Sequence, residues 1–110
     1  MKNADAICLV LTSWPADADP APFARDLVEA RLAACVHVFG PGVSVYRWRG
    51  AVEVADERQL AIKTTRGALP ALEVRVRARH PYEVPEWLVL DAGSDAAYGE
   101  WLREAIGPEA

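Results

Sequence analysis

The sequence predicts an α+β sandwich: one antiparallel sheet of four strands, two helices on one face of it, and a further helix at the C-terminal end. Three observations predict it. Apolar residues recur at helical spacing over residues 20–33. They alternate with period two over 35–48 and 52–65, and form short runs at 6–11 and, around Pro85 and Glu86, at 84–90. The resulting order is β-α-β-β-α-β-α, in 110 residues, a length suited to one domain spanning 1–110.

Each element has its own local reason. AICLVL (6–11) is a buried strand closed by Thr12, Ser13 and Pro15. Asp17 or Asp19 supplies helix-start chemistry, and Pro20 suits a first helical position. The helix then carries Phe23, Leu27, Ala30 and Ala34 on one stripe, with Arg25, Asp26, Glu29 and Arg31 facing away. The stretch 35–48 is rich in Val and aromatics, and Gly40-Pro41-Gly42 bends it without ending it. Arg49-Gly50 makes a tight turn into 52–65, so the two runs form a long hairpin. Residues 66–80 admit two readings. Leu69, Leu72 and Val76 have helical spacing, whereas VRVRAR (74–79) alternates like a strand. A strand there leaves no crossover before the next one, which favours a helix. VPEWLVL (84–90) is the last strand. Ser94 or Asp95 caps a final helix with Tyr98, Trp101, Leu102 and Ala105, ended by Gly107-Pro108. The first six elements match the split βαβ, ferredoxin-like arrangement, with both helices on one sheet face. The other face carries apolar strand residues and calls for a partner, so a homo-oligomer is expected.

Composition excludes several classes. Hydrophobic content of 52% with 25% charged residues is globular. A net charge of −4 argues against nucleic-acid and anionic-membrane partners, although Arg75, Arg77 and Arg79 leave a local anion site open. Two cysteines, Cys8 and Cys35, are too few for a disulfide framework. The apolar run after Met1-Lys2 is too short for a secretory leader, and no stretch approaches a membrane span. Reduced thiols and a cytoplasmic location are the expectation.

The motifs RLAACV (31–36), SVYRWRG (44–50), IKTT (62–65) and HPYEVPE (80–86) stand in a fixed order, with Tyr98 and Trp101 beyond them. In that order and spacing the chain resembles the CutA divalent-cation tolerance family over about residues 6–103. The resemblance implies a ferredoxin-like protomer with a long hairpin between its second and third strands and an extra C-terminal helix. It implies assembly as a homotrimer through sheet faces and edges, and a helix over 66–80. It further implies a role in divalent-ion tolerance, the response to metal ion, with Cu(II) or a related divalent metal bound, no enzymatic activity and no organic cofactor.

The same resemblance marks candidate metal ligands. Cys35 matches the cysteine of RLAAC, and a thiolate suits Cu or Zn. The competing reading is a small buried residue at a helix–strand junction. His37, where most relatives carry asparagine, is not marked by the resemblance; it shares a strand face with Cys35 and could join it, or be a polar strand-end residue. His80 matches the histidine of HPYEVPE, with Glu83 and Glu86 as oxygen donors. Its alternative is a partly positive imidazole at a helix C-terminus. A further family cysteine falls on Thr12, a poor substitute for a thiolate, and Cys8 lies about 13 Å further along the strand.

Tyr46 and Trp48 share one face of the hairpin and suit a cleft or intersubunit packing; Arg47 and Arg49 lie on the other. A second reading is a trimeric signalling or scaffold module, with a small metabolite or partner protein in intersubunit clefts and Arg47, Arg49 and Lys63 as contacts. Ser13, Ser44 and Ser94 lack a base-and-orienter set, so no catalysis is expected.

Overall fold

The computed structural model describes residues 3–107. Strand β1 runs over Ile7–Pro15, four residues beyond the expected end. Thr12 and Trp14 are good strand formers, and they continue the buried set begun by Cys8 and Val10. The strand pairs antiparallel with β4 (Ala51–Thr65) from Ile7↔Thr65 to Pro15↔Glu57. On its other edge it pairs with β5 (Leu88–Asp91).

Helix α1 covers Ala21–Glu29, not 20–33. Asp19 Oδ1 accepts the N–H of Ala21 at 2.9 Å, so one of the two expected aspartates serves its start. The helix stops because Arg31 takes a left-handed φ of 60°, which turns the chain so that the N–H groups of Leu32 and Ala33 both reach the carbonyl of Leu27. That position usually takes glycine. Here the arginine is held by its own side chain, which donates to the carbonyls of Gly107 (2.7 Å) and Glu104 (2.6 Å). Ala34 is therefore off the helix and packs with Ile7 and Leu102. Asp26 does not face away either: its carboxylate takes Arg75 Nε at 3.0 Å and Arg79 Nε at 3.6 Å from the next helix.

The hairpin forms as the alternation predicts. Strands β2 (Cys35–Val38) and β3 (Gly42–Trp48) both pair with β4. Val38 faces Leu60 and Gly42 faces Glu57, so residues 39–41 oppose only 58 and 59. One extra residue makes a bulge at the Gly-Pro-Gly stretch. At the tip Arg49 and Gly50 both have positive φ, 50° and 82°, closing a two-residue turn of the mirror-image type that suits twisted strands.

A single 3₁₀ turn (Arg66–Ala68) leads into helix α2, Leu69–Arg79. Leu72 and Val76 are buried while Val74 is 71% exposed, so the helical spacing wins over the period-two pattern. The arginine cluster does not form an anion site. Arg75 and Arg79 turn to Asp26, and Arg77 pairs with Glu73. Pro81 excludes helical geometry at His80, whose ψ is 138°. The last strand begins at Leu88 rather than at 84. Pro81 and Pro85 have no N–H to give a ladder, and residues 81–87 instead form a strap across the end of the sheet. Helix α3 (Ala96–Ala105) is capped by Asp95, whose carboxylate accepts the N–H of Tyr98 at 2.8 Å. Gly107 beyond it has φ 100°, and Pro108 lies outside the described residues.

The sheet order is β2-β4-β1-β5, with β3 extending the β4 hairpin, the ferredoxin-like order. Helices α1 and α2 cover one face, where Phe23, Leu27, Leu72 and Val76 pack on Val10, Leu60 and Ile62. Helix α3 covers one end of the opposite face through Leu102 on Ile7. The rest of that face stays open, and Leu88 and Leu90 are exposed on it. The hairpin arm stretches the molecule to 45 × 29 × 23 Å. It leaves Val43, Val45, Val52 and Val54 each at least 60% exposed.

Candidate functional site

The strap follows directly on His80, which the sharp exit from α2 drives into the core. It is 8% exposed. Its ring stands edge-on to Trp14 (centroids 5.0 Å apart) and Phe23 (6.4 Å). Nε2 lies 2.6 Å from the carbonyl oxygen of Ser13, which can only accept, so Nε2 carries the proton. Nδ1 accepts the backbone N–H of Tyr82 at 3.0 Å. Both ring nitrogens are thus spent on backbone. Burial pushes the imidazole pKa down, with the Ser13 carbonyl and Glu57 opposing it. The ring is neutral near pH 7. This differs from the partly positive helix-end imidazole expected above.

Tyr82 follows. Its hydroxyl donates to Glu57 Oε2 at 2.5 Å, as a half-buried phenol should. Burial, then Glu57, raises its pKa well above the ordinary phenol range, so it stays a donor. Glu86 accepts Gln59 Nε2 at 2.9 Å. Glu83 is exposed and stands 3.9 Å from Arg49. The strap, the end of β1 and the hairpin enclose a cleft of about 710 Å³. Tyr46, Trp48, Tyr82 and Val84 supply apolar walls; Glu57, Glu83 and Glu86 supply the charge.

Cys35 and His37 lie elsewhere. They pair with Lys63 and Ala61 on edge strand β2 and share its face, as expected from their spacing. Cys35 is half-buried and His37 exposed, its ring edge-on to Phe39 at 4.6 Å. Cys35 is aligned with Lys63, whereas the His80 contact is to Ser13, aligned with Gln59. Four strand residues separate these positions, about 13 Å. The ring of His80 also sits among Trp14 and Phe23 on the helix-covered face, while Cys35 faces the other side. Thr12 is on the helix-covered face too, fully buried, with no partner for its hydroxyl among the described residues.

The residues present do not assemble a metal centre within one protomer. Among the described residues no group of three or more His, Cys, Asp or Glu could hold an ion. For His80 to ligate, one of its two backbone bonds must open. Cys35 and His37 are the candidate ligands that the fold brings together. Lys63 is engaged as well: Nζ donates to the Tyr98 hydroxyl at 3.1 Å and lies over its ring. It is distant from the cleft, and Arg47 does not line the cleft either. Among the described residues no helix is long and apolar enough to cross a membrane.

Sequence reasoning missed Glu57 and Ser13. Glu57 had a legible signal, because it alternates in step with Glu53 and Ala55 on the strand face that Tyr46 and Trp48 occupy. Ser13 acts through its carbonyl, which no side-chain pattern reveals.

Comparison with known proteins agrees with this geometry. Residues 8–105 match the model of the CutA1 divalent ion tolerance protein family. The chain is 44% identical over 100 residues to the divalent-cation tolerance protein CutA of Thermus thermophilus, covering 90% of this chain and 97% of that one. The solved structure of the Thermus thermophilus protein superposes with a TM-score of 0.87 at 43% identity, covering 92% and 99% of the two chains. CutA from Synechococcus elongatus superposes with a TM-score of 0.86 at 39% identity, covering 97% and 95%.

Proposed function

Because the chain belongs to the CutA1 divalent ion tolerance protein family, we propose that it serves in the response to metal ions as a cytoplasmic homotrimer that binds Cu(II) or a related divalent ion. The observation that carries the metal reading is the pair Cys35 and His37 on one face of edge strand β2. A thiolate and an imidazole are the donors that a borderline metal prefers. Two ligands hold an ion weakly, so the set is completed from a second copy or from solvent. No part of this reading needs an organic cofactor or a catalytic step, and neither nucleic acid nor membrane enters it.

Support for assembly comes from the uncovered surfaces. The open sheet face and the valine stripe of the hairpin arm are apolar and lack cover within the protomer. At about 25 cal/mol per Å², covering such surface is a sufficient drive for association.

The 710 Å³ cleft favours a second reading, a trimeric module that binds a small metabolite. Native mass spectrometry of protein purified from cells separates the two. A retained metal ion on a trimer supports the first, and a retained organic mass supports the second. A monomer carrying neither contradicts both.

A further inference from the structure

The charge of the cleft is the opposite of what the arginines around the hairpin suggested. Among the described residues its lining holds three carboxylates and no lysine or arginine. Two of the three are oriented by neutral donors: Tyr82 on Glu57 at 2.5 Å, and the Gln59 amide on Glu86 at 2.9 Å. A hydroxyl or an amide positions a carboxylate without cancelling its charge. Each bond uses one oxygen, Glu57 Oε2 and Glu86 Oε1, and among the described residues leaves the other unspent. Glu83 faces Arg49 only at 3.9 Å, between two exposed side chains, where the attraction is largely screened. Beside these acids stand the rings of Tyr46, Trp48 and Tyr82; the Arg49 guanidinium already lies 5.3 Å from the Trp48 centroid, and Tyr82 has one side on His80. Negative ring faces next to uncompensated carboxylates are the surroundings a cation seeks. A bare metal ion is the poorer fit, because no three of these acids converge.

We propose that this cleft binds a small organic cation of the alkylguanidinium kind. The planar guanidinium stacks on an aromatic face while its N–H groups reach the free oxygens of Glu57 and Glu86. The alkyl stem lies along Val84 and Pro85. The proposal rests on the reading of the cleft as a ligand site and names the ligand's chemistry.

The test is titration of the assembled protein with n-butylguanidinium, with its neutral isostere n-butylurea, and with n-butyl phosphate, followed by tryptophan fluorescence and calorimetry. Butylguanidinium should bind saturably and perturb the fluorescence, with Trp48→Leu abolishing that change. Butylurea should bind about tenfold more weakly or worse, the ratio expected for one charge-assisted bond. Glu57→Gln keeps an acceptor for Tyr82 and removes the charge, so it should weaken butylguanidinium several-fold with the melting temperature little changed. Val74→Ala, on an exposed face of α2 outside the cleft, should leave binding unaltered. Equal binding of butylurea, or preference for butyl phosphate, overturns the cation proposal and leaves the cleft a ligand site. Failure of all three probes overturns the ligand site itself.

Discussion

His80 donates from Nε2 to the carbonyl oxygen of Ser13 at 2.6 Å, and this bond ties the strap to the end of β1. The second bond, from the Tyr82 N–H to Nδ1, lets the ring hold two segments at once. Protonation would place a proton on Nδ1, facing another N–H. Burial lowers the pKa from 6.5, against the opposing pull of the Ser13 carbonyl and Glu57. The sign follows. As pH falls, the unfolded chain takes up this proton before the folded one does, so the contribution to stability is full above about pH 6.5 and declines below it, down to the folded pKa. Urea unfolding at about pH 7.5 and about pH 5 should show a loss that is smaller in His80→Gln, which cannot titrate. His80→Ala should cost about 2–3 kcal/mol at the higher pH, because two backbone groups lose their partner and a cavity opens. An equal pH response in wild type and His80→Gln contradicts the assignment.

The arm gives an independent prediction. Val54 is 67% exposed, so a charge there should change the stability of a lone protomer by no more than about 0.5 kcal/mol. If the arm is an assembly surface, Val54→Glu breaks the oligomer. Light scattering should then report a trimer for wild type and smaller species for the variant. A trimer that tolerates both Val54→Glu and Val45→Glu assigns assembly to another surface.

The hairpin turn carries a strained residue. Arg49 has φ 50°, a region that asparagine tolerates better than arginine, and Gly50 already follows it. Arg49→Asn should raise stability by about 0.5 kcal/mol in thermal unfolding. Its contacts to Trp48 and Glu83 are exposed, so their loss should weigh little. A lower melting temperature would show that those contacts matter more than the backbone.

Much of this fold was legible. Alternation in 35–48 and 52–65 gave the hairpin, and Gly40-Pro41-Gly42 and Arg49-Gly50 marked its bulge and turn. The end of α1 was not legible, because no glycine or proline follows Glu29. The stop depends on Arg31 reaching the carbonyls of Glu104 and Gly107, some seventy-five residues away in sequence. The start of β5 was misjudged for a related reason. Val84 to Trp87 is apolar enough for a strand, but Pro85 within it and Pro81 before it deny it a ladder. Within the site, the spacing of Cys35 and His37 fixed their shared face. The distance between Cys35 and His80 is a property of the register between β1 and β4, which residue patterns leave open.

On the proposed reading, metal binding belongs to the Cys35–His37 face of β2, and His80 serves as a brace. Copper titration of the native protein tests it, with wild type compared against Cys35→Ala, His37→Ala and His80→Gln. The claim predicts that Cys35→Ala and His37→Ala each weaken Cu(II) binding about tenfold or more, while His80→Gln stays within about twofold of wild type. Loss of binding in His80→Gln, with Cys35→Ala and His37→Ala unchanged, would contradict it.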